Sequence, residues 1–68
     1  MTIGEKIIYV LKLRKMTQRD LVKKSHLSKS TINRYITDSR IPNAINIKII
    51  CQALEISADW LLGIGEDF

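Results

Sequence analysis

Residues 17–36 read Thr-Gln-Arg-Asp-Leu-Val-Lys-Lys-Ser-His-Leu-Ser-Lys-Ser-Thr-Ile-Asn-Arg-Tyr-Ile, which is the pattern of two short helices joined by a tight turn. Thr17 opens the first and Ser28 the second, because a hydroxyl at that position accepts a bond from an otherwise unpaired backbone N–H. Asp20 follows Thr17 at the spacing of a reciprocal cap. Leu21, Val22, Leu27, Ile32 and Ile36 supply apolar contacts. Lys29, Ser30, Asn33 and Arg34 are left facing outward from the second helix. Short polar and basic side chains on the first two turns of a helix suit the major groove of DNA, where base edges present donors and acceptors.

Outward from this stretch, the chain predicts three further helices. Thr2 and Glu5 form a capping-box pattern, and Ile3, Ile7, Val10, Leu11 and Met16 recur at helical spacing, so a helix is expected from about Ile3 to Arg14. Lys12, Arg14 and Lys15 stand near its end, where cations complement the helix dipole. The motif's own helices should end near Lys24 and Thr37, with Ser25-His26-Leu27 as the turn. Asp38 to Pro42 reads as a loop, since Pro42 disfavours helix at Ile41, and Asn43 caps a fourth helix. Residues 44–54 hold two conflicting signals. Ile45-Asn46-Ile47-Lys48-Ile49 alternates like a strand, yet Ile47, Ile50, Cys51 and Leu54 fit one helical face. Helix is the expectation, because a lone strand would have no partner. Ser57 caps a last helix, Ala58 to Leu62, and Gly63 ends it. The fold class is therefore all-α with five helices in one domain spanning 1–68, the paired helices at about 17–37 and a tail at 64–68.

Sixty-eight residues allow one small core. Cys51 is the sole cysteine and reads as a small core residue, which excludes a disulfide framework and fits a reducing cytoplasm. No apolar run approaches membrane-spanning length and no signal-peptide pattern opens the chain, so the sequence reads as soluble and cytoplasmic. Charge is uneven. Residues 1–47 carry ten Lys/Arg against three acids, whereas residues 48–68 carry one lysine against four. A basic front and an acidic back suit one anionic partner on one side.

Beyond these local signals, the ordered set Met16-Thr17-Gln18-x-x-Leu21, Leu27-Ser28-x-Ser30-Thr31-Ile32, Arg40-x-Pro42 and Ala53-Leu54-x-Ile56-Ser57-x-Asp59-Trp60-Leu61-Leu62-Gly63 resembles the Cro/CI-type, lambda-repressor-like helix-turn-helix family across about residues 3–63. The resemblance implies a compact five-helix domain whose third helix enters the major groove of double-stranded DNA, most simply a palindromic operator, with the second lying across the backbone. It implies base contacts from Lys29, Ser30, Asn33 and Arg34. Arg34 suits guanine and Asn33 suits adenine, each by two hydrogen bonds. Backbone contacts are expected from Thr17, Gln18, Thr31, Tyr35, Ser39, Arg40 and Asn43, with Arg40 able to fork onto a phosphate. Thr31 can equally serve its own helix cap, and Tyr35 can pack with its hydroxyl at the edge. The resemblance also implies homodimers on DNA, with Trp60, Leu61, Ile64 and Phe68 as candidate contacts, although Leu61 and one face of Trp60 also suit the core. Ile45 and Ile49 add apolar surface to the same region.

Three positions depart from the family's pattern. Relatives often carry an arginine where this chain has Leu11 and a glutamate where it has Ile36; an apolar contact between the two would replace their partly buried ion pair. His26 occupies the turn position usual for glycine, where a positive φ is expected. Val22 replaces a small alanine and must either spread the two helices or meet a smaller neighbour. The functional expectation is a transcriptional regulator acting as a repressor without any cofactor. A protein-interaction module on the same scaffold, an antitoxin or anti-repressor, is the second reading, left open by the apolar C-terminal cluster. Enzymatic and metal-binding classes have no support: a single histidine has no acid placed to orient it, and no ligand spacing occurs.

Overall fold

The computed structural model describes residues 1–65. Five helices occur in order: α1 Ile3–Leu13, α2 Gln18–Ser25, α3 Lys29–Ile36, α4 Ala44–Leu54 and α5 Ala58–Leu62. Each begins at a side-chain cap that accepts a backbone N–H three residues on: Thr2, Thr17, Ser28, Asn43 and Ser57. Thr2 with Glu5 and Thr17 with Asp20 close full capping boxes. The expected boundaries therefore hold to within a residue.

Helix ends are less ordinary. Lys15, His26, Asp38, Glu55 and Gly63 all lie at positive φ, so each of the five helices leaves through the left-handed region, four of them on a residue with a Cβ. Backbone bonds compensate. After α3, the Asp38 N–H reaches the Tyr35 carbonyl and the Ser39 N–H reaches the Arg34 carbonyl, the paired closure that satisfies the last carbonyls of a helix.

Helix α1 packs on α3 and α5, α2 on α3 and α4, and α4 on α5. Between them Ile7, Val10, Leu11, Leu21, Ile32, Tyr35, Ile50, Cys51, Leu54, Ile56 and Leu61 form one buried core. Helix wins over strand in α4 because that geometry puts Ile50, Cys51 and Leu54 inward together; Ile45 is left exposed, with Ile47 and Ile49 half-buried. No strand occurs among the described residues.

Two cations of α1 act at a distance from their own helix. The Arg14 guanidinium donates from Nε to the Leu54 carbonyl at 2.7 Å and from Nη2 to the Glu55 carbonyl at 3.1 Å, capping α4. Lys6 Nζ donates to the Trp60 carbonyl at 2.7 Å, in the last turn of α5, and lies 5.3 Å from the centre of the Trp60 ring. Positive charge at a helix C-terminus offsets its partial negative charge. Arg14 thus serves the dipole of α4 rather than that of α1, where the sequence alone places it.

Helix α1 also approaches α3 closely. A Cβ on Gly4 would stand 2.7 Å from the Tyr35 carbonyl oxygen and nearer still to that of Ile36, so only glycine fits. Leu11 is in the core and Ile36 is half-buried against it.

Candidate nucleic-acid interface

Helix α3 divides cleanly into two faces. Ile32 and Tyr35 point into the core, at 1% and 5% exposure, and Lys29, Ser30, Asn33 and Arg34 are exposed. The cause is helical periodicity: with 32 and 35 inward, 29–30 and 33–34 fall on the opposite side. The four residues expected to meet base edges therefore share one outward row, spanning the first two turns of an eight-residue helix.

The flanks of that row come from three other segments. At the start of α2, Thr17 and Gln18 are exposed, and the Thr17 hydroxyl accepts the Asp20 N–H at 3.1 Å. Gln18, Arg19, Val22 and Lys29 line a cleft between the first turns of α2 and α3. Val22 is half-buried against the core and also lines that cleft. Arg19 is a cation of this surface that the motif pattern does not single out. Its only sequence signal is its place one residue after Gln18.

Beyond α3, Thr31, Arg34, Tyr35 and Arg40 surround a small depression, which brings Arg40 beside Arg34. Ser39 Oγ donates to the Arg34 carbonyl at 3.2 Å and lies 3.0 Å from Thr37 Oγ1. Asn43 accepts the Asn46 N–H through Oδ1 at 2.8 Å, leaving its amide N–H₂ directed away from that cap.

Several candidate residues have duties inside the fold. Tyr35 is buried and its hydroxyl accepts a hydrogen bond from Asn46 Nδ2 at 2.7 Å, tying α3 to α4. The ring thus packs in the core, while the hydroxyl keeps its own hydrogen as a donor at the edge of the depression that Tyr35 lines with Arg34 and Arg40. Thr31 is half-buried and its Oγ1 accepts from Ser28 Oγ at 2.8 Å, within the cap of α3. Leu61, a candidate dimer contact, is 1% exposed in the core of its own chain and offers no surface to a second copy. Trp60 is half-buried, with its ring 6.2 Å from that of Tyr9, and Ile64 is 74% exposed. Phe68 lies outside the described residues.

His26 adopts φ 60° in the turn, as its place in the motif requires, and its N–H reaches the Val22 carbonyl at 2.9 Å. Among the described residues no group of His, Cys, Asp and Glu gathers to hold a metal ion. The Thr17 backbone N–H, then the Thr17 hydroxyl, hold the Asp20 carboxyl below its usual range. Burial pushes the Cys51 thiol up. No helix among the described residues is long and apolar enough to cross a membrane.

Two likenesses to known proteins bear on this surface. The profile of the helix-turn-helix family matches residues 7–61. Among solved structures, a crystal structure of the P22 c2 repressor protein in complex with a synthetic operator is similar over 96% of this chain and 98% of that one, with a TM-score of 0.85 and 29% identity. No curated protein matches the chain.

Proposed function

The chain belongs to the helix-turn-helix family, and from that premise we propose that it is a sequence-specific, double-stranded DNA-binding regulator of transcription of the repressor type, reading the major groove with α3. One observation carries this reading. Lys29, Ser30, Asn33 and Arg34 form a single exposed row on α3, while the same helix is held from behind by buried Ile32 and Tyr35. A rigid scaffold presenting short donors and acceptors is what base-edge recognition needs, since a mobile side chain loses discrimination to entropy.

In this reading the Thr17–Gln18 end of α2 and the Ser39–Asn43 segment grip phosphates on either side of the groove, where Arg40 supplies charge and the α2 N-terminus supplies unpaired N–H groups. Arg34 takes two acceptors on guanine and Asn33 an adenine edge. Two copies related by a two-fold axis would place their α3 helices about 34 Å apart, one turn of DNA. Apolar surface from Trp60, Ile64 and Ile45 supports such pairing, and repression follows from occupying a promoter in the cytoplasm.

Selection of bound duplexes from a random pool tests the proposal directly. A recovered palindrome with half-sites one turn apart supports it; recovery of no common sequence refutes sequence-specific binding. Arg34→Ala is expected to weaken binding to the selected site by roughly 1–3 kcal/mol and to relax preference at one base pair. Unchanged selection by that variant would remove Arg34 from base readout. Equilibrium sedimentation of the protein with the selected duplex decides pairing, one copy per duplex at saturation being the outcome against it.

A further inference from the structure

We propose that Asp38 is a positioning residue for DNA binding: its carboxylate clamps the segment after the recognition helix to the first turn of α1 and so fixes where Arg40 meets the backbone. It rests on the DNA-binding reading above. The geometry is specific. Thr2 Oγ1 donates to Asp38 Oδ2 at 2.6 Å, and the Gly4 N–H donates to Asp38 Oδ1 at 2.9 Å, so both carboxylate oxygens are taken by α1 across 34 to 36 residues of sequence. Asp38 itself sits at φ 60°, one residue beyond the Thr37 cap of α3. Glycine is the default residue there. An aspartate bears a steric cost in that conformation, although its short polar side chain tolerates it better than most.

That cost has a compensation only if the carboxylate is used. The α1 N-terminus offers unpaired N–H groups and a partial positive charge, so a carboxylate fits it. The result is a bridge: Gly4 lies close against the Tyr35 and Ile36 carbonyls and its N–H holds the Asp38 carboxylate beside them. Arg40 follows two residues later and borders both the depression beside Arg34 and a cleft formed with Thr2, Ile3, Asp38, Ile41 and Pro42. The loop therefore has two tethers. One is local, the Ser39 and Arg40 N–H groups on the Arg34 carbonyl. The other is the Asp38 carboxylate on α1.

Charge and clamping predict opposite signs for the same substitution. Asp38 is an acid on a segment meant to face phosphates, so simple electrostatics has its removal tighten DNA binding. Loss of the clamp has its removal weaken binding. Asp38→Gly separates them, because glycine keeps the left-handed backbone and the local tether while deleting the carboxylate.

The experiment measures fluorescence anisotropy with a labelled duplex carrying the sequence selected by the wild-type protein, across a salt series, at a temperature where circular dichroism shows every variant folded. Asp38→Gly should weaken binding about three- to tenfold and lower the slope of log affinity against log salt by about one per copy, the signature of one lost phosphate contact. In an Arg40→Ala background the same substitution should have no further effect on the slope. Thr2→Val removes one clamp bond together with the α1 cap while leaving the Asp38 charge in place, and should weaken binding in the same direction; Thr2→Ser, which keeps the hydroxyl for both, should bind like the wild type. Tighter or unchanged binding by Asp38→Gly overturns the proposal, as does an equal loss with and without Arg40. If the wild-type protein selects no duplex, the DNA-binding reading itself fails, and the proposal with it.

Discussion

Replacing Gly4 by alanine sets two effects of opposite sign against each other. Helix propensity favours alanine by up to about 1 kcal/mol, since glycine loses more backbone freedom on folding. Packing opposes it. The new Cβ would lie 2.7 Å from the Tyr35 carbonyl oxygen and closer to that of Ile36, well inside the 3.4 Å at which ordinary contact begins. These two atoms are backbone, so no rotamer change relieves the overlap, and a third, Asp38 Oδ2 at 2.9 Å, is crowded as well; α1 must retreat by about 1 Å. That retreat stretches the Gly4 and Thr2 bonds to Asp38, now 2.9 and 2.6 Å. Overpacking of this kind costs roughly 1–3 kcal/mol and a weakened hydrogen bond about 1 more. Set against propensity, a net loss of about 2–3 kcal/mol is expected. A chain of this size has only roughly 3–10 kcal/mol of stability, and each kcal/mol moves its midpoint by about 4–8 °C, so Tm should fall by roughly 10–20 °C. Thermal unfolding followed by circular dichroism, with urea titration as a second measure, reads this directly. A Tm equal to or above that of the wild type would refute the reasoning, because it would mean that the α1–α3 approach has slack and propensity governs.

In the turn, His26→Gly should stabilise by about 0.5–1 kcal/mol, the left-handed backbone cost removed less the added freedom of the unfolded chain; a lowered urea midpoint would show instead that the histidine side chain makes a stabilising contact. Asp20 carries a carboxyl whose folded pKa lies below its ordinary 3.8, so its contribution is complete above that value and is lost as pH falls through the lowered one. The stability gap between the wild type and Asp20→Asn, measured by urea unfolding from neutral pH downward, should therefore shrink below about pH 4; a constant gap would assign the effect to something other than charge. Leu11→Arg should cost about 3 kcal/mol or more by burying an unpaired cation, and adding Ile36→Glu should recover part of it by restoring the ion pair of relatives. A coupling within about 0.5 kcal/mol of zero in that double-mutant cycle would mean that the two side chains are not neighbours.

Helix starts and the polar row of α3 were legible in the sequence because they depend on residues within one turn of each other. Thr2, Thr17, Ser28, Asn43 and Ser57 each bond an N–H only three positions away, so the cap and its helix are written in a single short window. The outward row at 29, 30, 33 and 34 follows from the period of the helix once Ile32 is taken as inward. Tertiary structure decided what no window contains. Tyr35 gave no sign in its own window that its hydroxyl would accept a hydrogen bond from Asn46, eleven residues on. Arg14 looked like the cap of its own helix, but the Leu54 carbonyl that it bonds lies 40 residues away. Leu61 suited the core better than a dimer contact by its sequence, and the packing of α5 on α1 and α4 enclosed it. Asp38 carried no signal beyond its place after a helix, yet its carboxylate joins the loop to α1 through Thr2 and Gly4. The division has one physical cause. Capping and periodicity are short-range properties of the backbone, whereas burial and bridging depend on which surfaces meet, and that is settled only when the helices pack.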